Sequence, residues 1–337
     1  MNKKVILTKK LLNQWGRERE PFLFLADFEL EQVQAWRLQD INPDTFQFEF
    51  NTPQDSLSTN TAPAPLDWSV TYPSPERYEQ AFAVVQEGLH RGDSFLLNLT
   101  FPSTVSTNWS LRDIYQHTQA RYKIWWKDHF AVFSPETFVQ IRDGKIFSYP
   151  MKGTLAGHLP GELLLNDPKE TAEHATIVDL IRNDLSQVAK QVRVSKYRYL
   201  ERIPTAKGGL WQTSSEISGQ LSPGFHETLG DLLFQLLPAG SISGAPKAKT
   251  VEIIQQAEQQ KRGYYTGIAA YWDGYKLDSC VLIRFLEKGP TGLRYWSGGG
   301  ITAYSDQVEE YKELKEKVYL PIPTAAHTPL AVADTFE

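Results

Sequence analysis

Tyr149-Pro150-Met151-Lys152-Gly153-Thr154-Leu155-Ala156-Gly157 is the stretch on which the reading of this chain turns. A β-rich run, Lys145-Ile146-Phe147-Ser148-Tyr149, leads into a proline, a single lysine and then Gly153. Proline removes a ladder donor and glycine lets the backbone approach closely, so regular pairing is predicted to end here. A lysine at such a strand end, in a dry pocket, loses its proton more readily and can act as a nucleophile. An isolated lysine of this kind is more often a solvated strand end, so the rest of the chain has to decide. Just upstream, Phe138–Ile141 should pair across the Asp143-Gly144 turn with the strand that carries Lys152. Glu136 and Lys152 are then expected to flank one hairpin.

Working outward, residues 1–73 read as a short N-terminal β-containing segment, with strands at Phe22–Ala26 and Phe46–Phe50. The polar run Asn51–Pro65 reads as a loop. Residues 74–321 form the main unit, opened by Ser74-Pro75 as a helix start. A strand Phe95–Phe101 should end at Pro102, and a helix should run from Leu111 to about Arg121. Asp167-Pro168-Lys169-Glu170 starts another helix, which carries the polar triplet Arg182-Asn183-Asp184. A small-residue loop, Ala239 to Lys247, runs into a helix over Lys249–Gln260. Strands are expected at Tyr265–Trp272 and Ser279–Leu286, the second carrying Arg284. Ser305-Asp306 caps a last helix to about Val318, and 322–337 is a tail. By pattern alone the fold class is mixed α and β.

The chain has 337 residues, 41% of them hydrophobic and 22% charged, with a net charge of −5. That is a globular composition with no basic stripe, so no nucleic-acid partner is expected. The apolar run at the start is too short for a signal peptide, no stretch is long enough to span a bilayer, and no membrane partner is expected. One cysteine, Cys280, excludes an intrachain disulfide and a thiolate metal site. A cytoplasmic location is the expectation.

Gly298-Gly299-Gly300-Ile301-Thr302-Ala303 matches only the loosest dinucleotide pattern, with too few residues behind it for a βαβ unit. Gly240-Ser241-Ile242-Ser243-Gly244 resembles a nucleophile elbow but has Ile242 where the serine belongs. What the 240–247 loop does offer is a helix start, whose N–H groups attract anions, with Lys247 adding a positive charge. Glu170 and Glu173 are three apart on one helix, and Glu310 and Glu313 on another. Each pair shares a face. Two such faces meeting at one point would suit Mg²⁺, although an acidic pair taken alone is usually a solvated helix face.

Taken in order, Ser134-Pro135-Glu136, Pro150-Met151-Lys152-Gly153-Thr154, Glu173-His174, Arg182-Asn183-Asp184, Gly240 to Lys247, Ile283-Arg284, Gly298-Gly299-Gly300 and Glu310-Tyr311-Lys312-Glu313 resemble the chorismate-utilising enzymes. The resemblance covers roughly residues 75–320. It implies an α+β fold like that of anthranilate synthase component I: two large, mostly antiparallel sheets packed face to face, with helices outside. Anthranilate and isochorismate synthases typically carry alanine at the position of Lys152. Lysine there marks the aminodeoxychorismate synthase component I branch, a transferase that aminates chorismate on the way to 4-aminobenzoate and folate. The resemblance then implies that Lys152 attacks ring carbon 2 and Glu136 protonates the leaving 4-hydroxyl. Ammonia, supplied by a separate glutamine amidotransferase subunit, enters at carbon 4. It further implies that Mg²⁺ is held by Glu173 and Glu313, with Glu170 and Glu310 close by. Thr154, Ser243, Gly244, Ala245, Lys247, Tyr265, Arg284, Gly298, Gly299 and Gly300 are implied to line the substrate.

Two departures bear on this. Gln212 stands where many members carry a histidine linked to pyruvate elimination, which weakens a lyase reading. The tryptophan-binding element of larger members is not found in the N-terminal region. Anthranilate synthase component I and a catalytically inactive chorismate-binding protein remain the alternatives.

Overall fold

The computed structural model describes residues 2–51, 64–203, 209–244, 246–290 and 292–322. Most of the predicted Asn51–Pro65 loop, Ala245 and nearly all of the tail lie outside the described residues. The first elements are α1 (Lys3–Glu18), β1 (Phe22–Ala26), β2 (Val33–Arg37), β3 (Phe46–Phe50), β4 (Trp68–Thr71), α2 (Pro75–His90), β5 (Leu97–Thr107) and α3 (Leu111–His117). Next come β6 (Tyr122–Trp126), β7 (Phe130–Ser134), β8 (Thr137–Arg142), β9 (Lys145–Ser148), β10 (Met151–Ala156), α4 (Glu162–Asn166), α5 (Pro168–Ser186), β11 (Lys190–Ile203) and β12 (Leu210–Gln220). The chain continues with α6 (Leu229–Leu236), α7 (Gly240–Ser243), α8 (Lys247–Glu258), β13 (Ile268–Trp272), β14 (Leu277–Val281), β15 (Phe285–Gly289), β16 (Gly292–Ile301) and α9 (Gln307–Glu316).

The strands form two sheets. The larger follows the path β10-β12-β9-β8-β14-β13-β1-β2, with β11 on β12, and the smaller runs β3-β6-β7-β15-β16-β5-β4. Every pairing among the described residues is antiparallel. The sheets pack face to face through Leu23, Leu25, Ala269 and Cys280 on one side and Ile124, Phe130, Val132, Phe285 and Trp296 on the other. The outer face of the larger sheet is covered by helices, with Leu12, Val85, Ile181, Leu233 and Ile253 packed over Phe22, Phe24 and Trp272. Ile114 of α3 and the segment at Val318–Ile322 cover the far side of the smaller sheet. Each large aliphatic side chain buried this way contributes about 1.5–3 kcal/mol.

Several sequence expectations need revising. No helix was expected before Phe22, yet α1 is there. Asn2 caps it, and Val5, Thr8, Leu12 and Trp15 bury one face at helical spacing. Pro102 does not end its strand. It stands opposite Trp296 inside β5, at a point that β4 does not reach, since β4 pairs only with residues 104–107. A missing N–H is tolerated on that open edge. The hairpin is also shorter than expected. The Asp143-Gly144 turn joins β8 to β9, both turn residues having positive φ, but that ladder stops at Gln140 opposite Phe147. Lys152 lies on β10, which continues end to end with β9 along β12 after a break at Tyr149-Pro150.

A buried ion pair ties the end of α8 to β5. Glu258 accepts hydrogen bonds from the Thr100 N–H and hydroxyl at 2.9 Å each and from Arg262 Nε at 2.9 Å. Arg262 Nη2 also reaches the Asn98 carbonyl at 2.7 Å. Arg262→Leu would leave this carboxylate buried and uncompensated. It should cost about 3–5 kcal/mol, read as a lowered midpoint in urea unfolding.

Candidate active site

The site forms where the chain changes sheets. Between β7 and β8 it passes from the smaller sheet to the larger through Pro135-Glu136, and between β14 and β15 it returns through Leu282-Ile283-Arg284. The predicted strand Ser279–Leu286 is therefore two strands in two sheets. Arg284 sits at the break with φ +53. The two crossovers hold each other: the Val281 N–H donates to the Glu136 carbonyl at 3.2 Å, and the Phe133 N–H to the Arg284 carbonyl at 3.2 Å. Glu136 and Arg284 thus come side by side although 148 positions separate them in the sequence (284 − 136). Burial raises the Glu136 carboxyl above the usual range, against a hydrogen bond from Ser241 and the charges of Arg284, Lys152 and Lys317. Arg284 places its guanidinium over the Tyr319 ring, 5.2 Å from the centroid, and its buried Nε has no hydrogen-bond partner among the described residues. Tyr265, just before β13, stacks on Trp296 with ring centroids 5.2 Å apart, and burial pushes its hydroxyl pKa well up.

Lys152 enters from β10. The ladder with β12 shifts register between Lys152 and Thr154, because Gly153 forms a bulge at φ +72. A Cβ at Gly153 would also meet Glu170 Oε2 at 2.6 Å, so a larger residue here would displace the Glu170 carboxylate. Lys152 Nζ lies 3.4 Å from Glu173 Oε2 and 3.3 Å from where a Cβ on Gly300 would stand. A Cβ on Gly299 would lie 3.1 Å from Glu310 Oε2 and 3.2 Å from Glu313 Oε1, and one on Gly298 would meet the Leu99 carbonyl at 2.2 Å. Gly299 and Gly300 therefore leave room for the charged groups of α9 and Lys152, while Gly298 allows the close approach of β5.

Lys152 pairs with Glu173 and Lys317 with Glu313, while no ion pair to Glu170 or Glu310 is found among the described residues. Burial, with Glu173 adding, raises Glu170, and burial likewise raises Glu310. Burial pushes Glu313 up as well, but Lys317, with the charges of Lys152 and Lys169 adding, more than reverses this and leaves it lowered. Lys317 was missed in the sequence; its signal is the i, i+4 spacing from Glu313. Its amine is 2.5 Å from Glu313 Oε1 and donates to the Gly298 carbonyl at 2.9 Å. Glu310 Oε1 accepts from the Ser305 hydroxyl at 2.7 Å, while its buried Oε2 has no partner among the described residues. Hard carboxylate oxygens with one orphaned atom among them fit a hard divalent cation in kind. As they stand, with Lys152 on Glu173 and Lys317 on Glu313, no three acidic, histidine or cysteine residues among those described are gathered closely enough to hold one.

The remaining predicted residues are placed less directly. The anion expected at the 240–247 loop is supplied by the protein. Asp184, of the polar triplet, takes the Gly240 N–H and pairs with Lys247 at 2.9 Å, and Lys247 also donates to the Leu236 carbonyl at 2.8 Å. The amine of Lys247 is thus committed to holding the loop. Ser243 donates to the Ala239 carbonyl at 3.0 Å. Gly244 has φ +72, and a Cβ there would meet the Leu96 carbonyl at 1.7 Å. Ala245 lies outside the described residues. Thr154 is exposed and stands opposite Gln212 in the ladder.

Behind Lys152 runs a hydrogen-bond chain that no spacing rule picks out. The Arg198 N–H donates to Ser215 Oγ at 2.9 Å, Ser215 Oγ lies 2.7 Å from His174 Nε2, and His174 Nδ1 lies 3.4 Å from Thr213 Oγ1. The Thr213 hydroxyl then donates to the Lys152 carbonyl. One neutral tautomer, with the proton on Nδ1, satisfies every link. Burial, with Arg198 and Lys152 adding, lowers His174 to about 4.

Residues 6–323 match the family described as chorismate binding enzyme. The chain belongs to that family. It is 49% identical over 316 residues to an uncharacterized PabA-like protein of Haemophilus influenzae, covering 93% of this chain and 96% of that one. It is 33% identical over 296 residues to aminodeoxychorismate synthase component 1 of Klebsiella aerogenes, covering 80% of this chain and 64% of the relative's length. Among solved structures, anthranilate synthase component I from Streptococcus pneumoniae superposes with a TM-score of 0.66 at 26% identity, over 77% of this chain and 61% of that one. This chorismate-binding enzyme thus has the expected architecture of two antiparallel sheets with outer helices. No helix among its described residues is long and apolar enough to cross a membrane.

Proposed function

We propose that this enzyme aminates chorismate, as aminodeoxychorismate synthase component I, giving 4-amino-4-deoxychorismate for 4-aminobenzoate and folate synthesis. The observation that carries the reading is Lys152. Its amine reaches over the β16 glycines into the glutamate cluster, on the side from which its charge also acts on Glu136. In the proposed first step the neutral amine of Lys152 bonds to ring carbon 2 and gives up a proton. The ring double bonds shift, the bond from carbon 4 to oxygen breaks, and the hydroxyl leaves as water with the proton of Glu136. Ammonia then bonds to carbon 4, the double bonds shift back, the bond from carbon 2 to nitrogen breaks, and the departing Lys152 amine takes up the proton that the incoming nitrogen gives up. A carboxyl raised by burial, as in Glu136, is suited to the acid's part.

Arg284, the Tyr265 hydroxyl and the open amide surface of Gly298, Gly299 and Gly300 are the groups proposed to receive the substrate's carboxylates. Mg²⁺ on Glu173 and Glu313, with Glu170 and Glu310 beside it, would supply positive charge for the ring carboxylate. Ammonia is proposed to come from a separate glutamine amidotransferase subunit, since Cys280 is buried in the sandwich interior and cannot serve as a glutaminase nucleophile.

Product analysis tests the reading. Purified chain with chorismate, Mg²⁺ and ammonium should yield 4-amino-4-deoxychorismate with its enolpyruvyl group retained. EDTA should stop the reaction, and glutamine should not replace ammonium. Release of pyruvate with anthranilate as product would refute the reading.

A further inference from the structure

The backbone of Glu136 is fixed by its N–H to Ser134 Oγ at 3.1 Å and by the Val281 N–H on its carbonyl. Among the described residues one hydrogen-bond donor reaches its side chain. Ser241 Oγ donates to Glu136 Oε1 at 2.7 Å. Ser241 sits on α7, a single helical turn pinned from behind: Asp184 takes its first N–H and pairs with Lys247 at 2.9 Å. The fit is tight, because a Cβ on Gly240 would meet Asp184 Oδ2 at 2.2 Å and Leu180 Cδ2 at 2.5 Å. Asp184 and Lys247 thus hold the turn that holds Ser241, and neither reaches Glu136 itself. This gives a use to Asp184 of the polar triplet and to Lys247, which the proposed chemistry leaves without one.

We propose that Ser241, held in place by the Asp184–Lys247 pair, is a positioning residue that decides which oxygen of Glu136 delivers the proton. The inference rests on Glu136 acting as the general acid. A hydroxyl that donates to Oε1 puts the acid's own proton on Oε2. When that proton passes to the 4-hydroxyl oxygen and water leaves, Glu136 becomes a carboxylate, and the Ser241 hydrogen bond becomes charge-assisted and stronger. Ser241 therefore aids the transition state more than the ground state, and the effect should fall on kcat more than on KM.

The test is the pH profile of kcat/KM for chorismate, expressed per free ammonia, together with kcat and KM at one pH. Ser241→Ala removes a bond that favours the carboxylate, so the limb that descends as pH rises should move to higher pH. kcat should fall about 10- to 100-fold with KM little changed, as for loss of a hydrogen bond to a charged group. Ser241→Thr should restore most of both. Asp184→Asn keeps the hydroxyl but loosens the turn, and should move the limb the same way by less; it is the deciding variant if Ser241→Ala does not fold. The other groups facing Glu136, namely Arg284, Lys152, Lys317, Tyr265 and Cys280, are untouched in these variants. A limb at the wild-type position in folded Ser241→Ala overturns the proposal. A wild-type limb that survives in Glu136→Gln instead places the fault with the role of Glu136.

Discussion

Lys152→Ala should make no covalent adduct with chorismate and should lose turnover with ammonia by roughly 10³-fold or more, as expected when a covalent nucleophile is removed. Fold stability should hardly change. The pair with Glu173 is part-exposed, with about a quarter of each side chain open to solvent, and such pairs contribute little. The variant should also lose its preference for carbon 4, since amination there requires that carbon 2 be occupied first by another nucleophile. Steady-state rates, product identity and a thermal melt together check this. A variant that keeps full activity would reduce Lys152 to a binding group and reopen the anthranilate-synthase alternative.

Glu136→Gln should lower kcat by about 10²- to 10⁴-fold, the usual contribution of a positioned general acid. The sign of the pH effect follows from burial, which raises this carboxyl against the Ser241 hydrogen bond and the Arg284, Lys152 and Lys317 charges. A raised carboxyl keeps its proton to higher pH than an ordinary glutamic acid. The wild-type rate per free ammonia should therefore hold through the usual carboxyl range and fall only as pH climbs past the raised value. The glutamine variant, with no proton to lose, should show a low rate without that limb. An unchanged profile in Glu136→Gln would assign the acid's part to another group.

Much of this site was legible because its signals are local. The acidic pairs Glu170/Glu173 and Glu310/Glu313 follow from i, i+3 spacing, and α5 and α9 carry them where expected. The end of regular pairing near Pro150 and Gly153 follows from backbone chemistry, and the structure has a break and a bulge there. What sequence spacing could not give is non-local. Ser279 to Leu286 is apolar enough to read as one strand, and only the sandwich decides that it changes sheets at Arg284. The same holds for Glu136, whose place is set by a second crossover alongside. Lys247 was read for its charge, but its partner Asp184 lies 63 positions away (247 − 184) on another helix. The chain from Ser215 through His174 and Thr213 to the Lys152 carbonyl likewise needs α5 packed on β12 before it exists. The glycines of β16 were noticed as a pattern. The reason for Gly299 and Gly300 is the room they leave for α9 and Lys152, which appears only in three dimensions.

The central claim is that Lys152 becomes covalently bonded to the substrate. Intact-mass spectrometry of the wild-type chain with chorismate and Mg²⁺ but no ammonium, followed by peptide mapping, tests it most directly. Without ammonia only water can displace the lysine, so a species heavier by chorismate less one water should accumulate, with the added mass on Lys152. An unmodified Lys152 under these conditions, in enzyme that turns over normally once ammonium is added, would contradict the account.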